Sequence, residues 1–237
     1  MPGLPANSRF SNSAIVTAVS AAELRAAPVL SREFFNRDVV TVARELLGKI
    51  LIRREGRTLL AGRVVEDEAY LGEDDPAAHA YAGQTARNFV LFGPPGRAYV
   101  YFIYGNHYCL NVSCGREGKA GSGVLFRALE PLAGAEEMAA ARAVVIRGPR
   151  DLVKLTSGPG RLAQAFGITR ERDNGCDLTS KRSGLWIGDA EFRPGRVLVT
   201  PRIGITRAVE RPLRYLVAGN PFVSGTKATR MLDTMSA

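Results

Sequence analysis

The chain has 237 residues, 46% hydrophobic and 23% charged, the balance of a soluble globular protein with a core of ordinary size. Its 32 Lys and Arg against 23 Asp and Glu leave a net charge of +9, which points to a polyanionic partner, nucleic acid before an anionic membrane surface. No apolar run is long enough to span a bilayer, the three cysteines (Cys109, Cys114, Cys176) form no CxxC, and His79 and His107 have no ligand spacing, so a membrane span, a disulfide framework and a zinc site are not expected.

Residues 1–28 are rich in Ala, Ser and Pro, without clear periodicity, and read as a flexible tail. Thr17 and Ser20 interrupt the run Ala14 to Ala22, which speaks against a signal peptide. Order is expected from about Ser31. Asp38 caps a helix over Val39 to Leu47 that stops at Gly48. Strands follow at Lys49 to Arg54 and Thr58 to Tyr70, with a possible break at Gly62. Ala98 to Ile103 returns through Tyr104-Gly105-Asn106-His107 into Tyr108 to Cys114, and Gly123 to Leu129 is a further strand. Helices are expected over Ala135 to Val144 and Pro159 to Phe166, the second capped by Ser157. The last strands are Arg196 to Thr200 and Arg214 to Val217. Early strands with interspersed helices predict an α+β single domain over residues 29–226, built on a mostly antiparallel sheet, with a tail at 227–237.

Two segments stand out chemically. In Val64-Val65-Glu66-Asp67-Glu68-Ala69-Tyr70, strand alternation puts Val64, Glu66, Glu68 and Tyr70 on one face. A carboxylate two residues from an aromatic ring could be a partly desolvated base beside a stacking surface, or the segment could be a solvated acidic edge. The pair Glu66 and Glu68 also resembles an O-glycosidase pair, but neighbours on one strand face are poorly placed to flank a sugar. The second segment, Tyr99 to Tyr108, holds four of the seven tyrosines. Clustered aromatics on a basic protein are how exposed bases are stacked, although a core hairpin would look alike. Tyr104 beside Gly105 at a turn is harder to place in a core and suits a wedge in DNA.

Several stretches together resemble the alkyladenine (3-methyladenine) DNA glycosylase family. They are Glu66 to Tyr70, Ala77-Ala78-His79, Gln84-Thr85-Ala86-Arg87-Asn88, Tyr99 to Asn111, Arg127 to Pro131, Ser157-Gly158-Pro159, Arg202-Ile203-Gly204 and Asn220 to Ser224. They occur in the family's order. The resemblance implies a curved sheet with surrounding helices and a protruding hairpin. It also implies a monofunctional enzyme that flips alkylated or deaminated purines out of double-stranded DNA and hydrolyses them off. Glu68 matches the general base, Arg127 a residue that holds the attacking water, and the Ile203 carbonyl its third ligand. Tyr70, His79 and Tyr101 match the residues that sandwich the base, and the His79 amide is expected to test the acceptor at purine position 6. Asn111 matches the guard against the 2-amino group of guanine, and Tyr104 the wedge. Glu66 is given no role at the water, and His107 is left between DNA contact and turn decoration. No metal or redox cofactor is implied. An intracellular monomer is expected. A damaged-DNA-binding module without catalysis, a lyase with an amine nucleophile and a sugar hydrolase remain as alternatives.

Overall fold

Strand β2 (Thr58–Leu71) is the spine of the molecule. The computed structural model describes residues 19–103, 105, 107–115, 121–189 and 192–225. Within them β2 lies in the middle of an eight-stranded antiparallel sheet. Strand β5 (Ser122–Ala133) pairs with it from Ala61 to Leu71 and carries the sheet on to β4 (His107–Cys114) and β3 (Ala98–Ile103). On the other side, β1 (Ile50–Glu55) covers the first half of β2 and leads to β6 (Leu185–Gly188). There β8 (Arg214–Val217) covers Glu66 to Glu68 and pairs with β7 (Val197–Thr200). The α+β class with an antiparallel sheet is thus as expected.

Gly62 does not break β2. A Cβ there would lie 2.9 Å from that of Leu129, so glycine lets β5 come close. Two register shifts further along matter more. Val64 pairs with Leu129 but Glu66 with Ala128, which leaves Val65 extra on β2. Glu66 then pairs with Ala128 and Asp67 with Phe126, which leaves Arg127 extra on β5. A β-bulge re-aims the side chains that follow it. Val64, expected on the face of Glu66, instead packs in the principal core beside Val65.

Helix α3 (Val39–Leu46) follows its sequence pattern. The Asp38 carboxylate accepts from the Thr41 N–H at 3.0 Å, Val39, Val42, Ala43 and Leu46 are buried, and Gly48 takes a φ of +88° just past the end. Helices α5 (Pro149–Thr156) and α6 (Pro159–Ala165) pack near β5, α6 also on β4, and α4 (Ala135–Ala141) packs on both helices and on β2. The cap of α6 is Gly158, not Ser157, whose hydroxyl donates to the Val223 carbonyl. Short helices α2 (Arg32–Phe35) and α7 (Arg170–Asp173) complete the set. The expectation of a tail to residue 28 needs correcting: Ala21–Ala26 form α1. Ser20 and Glu23 close a capping box there, and Leu24 is buried with Ile50, Ile52 and Trp186.

The acidic run on β2 is no solvated edge, because Glu66, Asp67 and Glu68 are all 0% exposed. Asp67 points the other way from its neighbours, between the cross-strand partners Phe126 and Tyr215, and neither carboxyl oxygen finds a hydrogen bond among the described residues. Burial pushes its pKa well up, and the charges of Glu66 and Glu68 add to that. A carboxyl with a raised folded pKa loses stability as pH rises from the ordinary aspartate value through the folded one. Asp67→Val, similar in shape and without polar atoms, should therefore stabilise the fold at pH 8 by about 1–3 kcal/mol, the usual cost of a buried unsatisfied group. The gain should shrink at pH 4.5. Urea denaturation at both pH values tests this, and an equal gain at the two would mean that Asp67 does not titrate as described.

Candidate active site

The site is built on four buried charged residues from three adjacent strands. Glu66 and Glu68 come from β2, Arg127 from β5 and Arg214 from β8, and none is more than 7% exposed. Glu66 Oε1 accepts from Arg127 Nε at 2.9 Å, Arg214 Nε at 2.7 Å and the Ser224 hydroxyl at 2.9 Å, while Oε2 accepts from the Ser224 N–H. The other end of the Arg127 guanidinium reaches Glu68, with Nη1 3.2 Å from Oε1. Two carboxylates and two guanidiniums close into a neutral cluster, the condition for burying so many charges.

Glu68 is held by groups that favour its anion. Oε1 also accepts from the Ile203 N–H at 2.8 Å, and Oε2 accepts from the Tyr70 hydroxyl at 2.9 Å. Burial raises its pKa; Arg127, the Ile203 N–H and the Tyr70 hydroxyl oppose that and leave a net upward shift. For Arg127, burial works against the charge, but Glu68 and Glu66 outweigh it and the pKa goes up. The Ile203 carbonyl lies 3.4 Å from Arg127 Nη1, so one loop residue touches both members of the pair. The expected role of Ile203 rested on its carbonyl; the structure adds the N–H as a direct tie to Glu68.

Beside this cluster is a cavity of about 570 Å³, lined among others by Tyr70, His79, Tyr101, Asn111, Arg127 and Ile203. Glu68 is buried behind these residues. His79 and Tyr101 meet edge to face, with centroids 4.5 Å apart. Nδ1 of His79 is 2.9 Å from the Tyr99 hydroxyl, and burial, then the charge of Arg87, lowers its pKa and keeps the ring neutral. The guanidinium of Arg202 sits 4.5 Å from the centroid of the Tyr70 ring and is paired with Asp75. The Asn111 side chain donates to the Tyr99 carbonyl at 3.1 Å.

Seven of the residues singled out in the sequence (Glu68, Tyr70, His79, Tyr101, Asn111, Arg127 and Ile203) thus converge on one place. Tyr104 lies outside the described residues. His107 lines the cavity and packs on Gly160, where a Cβ would come within 3.0 Å of its ring. Glu66 was not foreseen as an anchor, nor were Arg214 and Ser224 as its partners. A charged residue opening an otherwise apolar strand, as Arg214 does, was the available signal. Among the described residues no group of three or more His, Cys, Asp or Glu is disposed to hold a metal ion, and no helix is long and apolar enough to cross a membrane.

A model of the methylpurine-DNA glycosylase family matches residues 33–221, the span that contains β2, the aromatic hairpin, Arg127 and Ile203. The chain belongs to that family. Similar proteins share most of their length with it, each bearing the name "Putative 3-methyladenine DNA glycosylase". One from Koribacter versatilis is 64% identical over 198 residues, covering 84% of this chain and 94% of the relative. One from Burkholderia cenocepacia is 52% identical, covering 83% and 91%, and one from Methanoculleus marisnigri is 50% identical, covering 82% and 98%. The glycosylase is therefore a DNA-repair hydrolase of N-glycosidic bonds in DNA.

Glu66 is the anchor of the charged cluster rather than a bystander on the strand. Glu66→Ala should leave Arg127 and Arg214 buried without their shared counter-charge, at a cost of about 3–5 kcal/mol. Glu66→Gln keeps an acceptor for one guanidinium and should cost less. Denaturant midpoints of the two variants check this order, and a Glu66→Ala protein as stable as wild type would show that the arginines find other partners.

Proposed function

We propose that this glycosylase removes alkylated and deaminated purines, such as 3-methyladenine, 7-methylguanine, hypoxanthine and ethenoadenine, from double-stranded DNA. It acts by flipping the nucleotide and hydrolysing its N-glycosidic bond with water. The observation that carries this reading is the buried Glu68 carboxylate, held by Arg127, Tyr70 and Ile203 at the back of an aromatic cavity. A purine must leave the duplex to reach such a cavity. Tyr70, His79 and Tyr101 present π-surfaces to it, which favour flat, electron-poor or cationic rings. Asn111 crowds the 2-amino group of normal guanine. Tyr104 fills the vacated stack.

The bond between C1′ and the purine nitrogen breaks with its electron pair leaving on the base, and positive charge builds on the sugar. Glu68 steadies that charge and takes a proton from the water whose oxygen bonds to C1′. Arg127 and the Ile203 carbonyl orient the water. Cationic 3-methyladenine and 7-methylguanine leave readily, whereas neutral hypoxanthine also needs a proton. The products are the free base and an intact abasic site, with no amine adduct. The net charge of +9 supports binding to the duplex backbone.

Glu68→Gln keeps shape and hydrogen bonding but cannot take the proton. It should cut single-turnover excision from an ethenoadenine duplex by about 10²–10⁴-fold while damaged-DNA binding by gel shift persists. Borohydride should trap no covalent enzyme–DNA adduct. Near wild-type excision by Glu68→Gln would remove Glu68 from the mechanism, and a trapped adduct would replace water by an amine.

Tyr70→Phe keeps the stacking ring and deletes the hydroxyl donor to Glu68. That donor favours the carboxylate, so its loss should raise the Glu68 pKa further. The acid limb of the rate profile should then move to higher pH, with the deficit largest at low pH and recovering as pH rises. A profile lowered equally at every pH would mean that the hydroxyl does not tune the base.

A further inference from the structure

Residues 75–88, which carry His79, and residues 201–213, which carry Ile203, contain neither helix nor strand, yet both wall the cavity. Loops of that length keep one shape only if something other than a ladder fixes them. Here they fix each other. Asp75 opens the first loop, Arg202 stands near the start of the second, and their side chains form a bidentate pair that is 0% exposed. Arg202 Nη2 donates to Asp75 Oδ1 at 2.8 Å, and Nη1 donates to Oδ2 and, at 3.1 Å, to the Ala69 carbonyl on β2. Asp75 also accepts from the Leu71 and Ala77 N–H groups at 3.2 and 3.1 Å. Burial opposes both charges, but the pairing, with the two N–H groups on Asp75, outweighs it, so Asp75 stays an anion and Arg202 a cation.

Neither side chain lines the cavity, and neither hydrogen-bonds Glu68. Two of the three donors that hold Glu68 nevertheless depend on the pair. The Arg202 guanidinium lies over the Tyr70 ring, 4.5 Å from its centroid, and that ring carries the hydroxyl 2.9 Å from Glu68 Oε2. The N–H that lies 2.8 Å from Oε1 belongs to the peptide unit between Arg202 and Ile203, so the paired residue forms one half of the donating peptide. Only Arg127 reaches Glu68 by a route that does not pass through the pair. A hydrogen bond weakens steeply once misaligned, so a donor on a ring and a donor on a loop both need a fixed carrier.

We infer that Arg202 and Asp75 are positioning residues for the proposed base: their pair fixes the Tyr70 ring and the Arg202–Ile203 peptide so that both donors converge on Glu68. This role rests on the proposed excision of damaged purines by Glu68 and adds two residues that act through others. The ionisable groups around Glu68 are Glu66 and Tyr70 on β2, Arg127 on β5, Cys109 on β4 and Arg202 itself, with Asp67 on the other face of β2. Hydrogen bonds to an anion favour it, so loosening two donors should raise the pH at which Glu68 becomes a base. Direct charge effects of the pair differ in sign. Exchanging one cation for another changes little through space, and removing the Asp75 charge favours the Glu68 anion and lowers that pH.

The test uses the full-length protein with Arg202→Lys and Asp75→Asn. Arg202→Lys keeps the charge but not the planar fork or the stack; Asp75→Asn keeps the size but puts a donor where one acceptor oxygen was. Single-turnover release of 3-methyladenine from methylated duplex DNA is followed across pH, with thermal melting over the same range to establish that each variant is folded. A cationic base leaves without being protonated, so the acid limb of this profile reports the base. In both variants the limb should move up by about one pH unit, the scale of one charge-assisted hydrogen bond. The rate below the wild-type limb should then drop about tenfold, and the plateau above both limbs by a smaller factor. A limb that stays in place in Arg202→Lys, or that stays or moves down in Asp75→Asn, overturns the inference. So does a rate lowered by one factor at every pH, or a failure of both variants to fold; if only one folds, its limb decides. If wild type releases no methylated base, or releases it without an acid limb, the reading of excision by Glu68 has failed. If wild type shows the limb and the variants leave it in place, that reading stands and the role of the pair does not.

Discussion

Everything about the site depends on one guanidinium shared by two carboxylates. Glu66 and Glu68 are two residues apart on one strand face and fully buried, so their charges repel in a medium that screens poorly. Arg127 bridges them, with Nε on Glu66 and Nη1 on Glu68. Arg214 supplies the second positive charge from the neighbouring strand. Neither arginine is replaceable by a point charge of the same sign, because the bridge needs a planar group with donors on two sides. The bulges on β2 and β5 are the backbone's part in this: a regular ladder through Ala128 and Phe126 would not leave Arg127 free of a cross-strand partner.

The cluster also divides labour between its two acids. Glu66 is bonded by Arg127, Arg214 and Ser224, and among the described cavity residues only Arg127 hydrogen-bonds it. Glu68 is tied to three groups that line or border the cavity: Arg127, Tyr70 and Ile203. One carboxylate is bound wholly within the scaffold and the other borders the cavity, although they are the same residue type on the same strand. Asp67 between them shows what the arrangement avoids, a buried acid with nothing to bond. The aromatic side is stiffened in the same manner. The Tyr99 hydroxyl is hydrogen-bonded with His79 Nδ1 and its carbonyl accepts from Asn111, so a buried core residue orients two cavity residues.

Much of this was legible in the sequence, for physical reasons. Helix α3 announced itself by a cap and an apolar stripe, and seven of the eight strands by their β-branched and aromatic runs; β6, four residues that include a glycine, was not foreseen. Helix α1 escaped because a single buried residue, Leu24, holds it in an Ala-rich stretch that has no stripe. Helix α5 escaped because only Leu155 and Thr156 are buried in it. The common face of Glu66, Glu68 and Tyr70 followed from alternation, but alternation failed at Val64, where a bulge intervenes that no local pattern marks. The site residues were named through resemblance. Their partners were not, because ion pairs such as Glu66 with Arg214 join residues 148 apart, and no spacing rule reaches that far.

The Ser224 contact gives the site an order of assembly. During synthesis Glu66 leaves the ribosome 158 residues ahead of the serine whose N–H and hydroxyl bind it. Until then β2 carries acids whose permanent partners on β5 and β8 do not yet exist, and burying it is unfavourable. The full set of partners for that charged centre is available only with most of the chain present, in keeping with a fold dominated by distant pairings. A polypeptide cut short before Ser224 lacks the last ligand of Glu66. Such a chain is missing two of the four hydrogen bonds that hold Glu66, so the charged centre of the sheet is left under-satisfied and the truncated product is the more open to proteolysis.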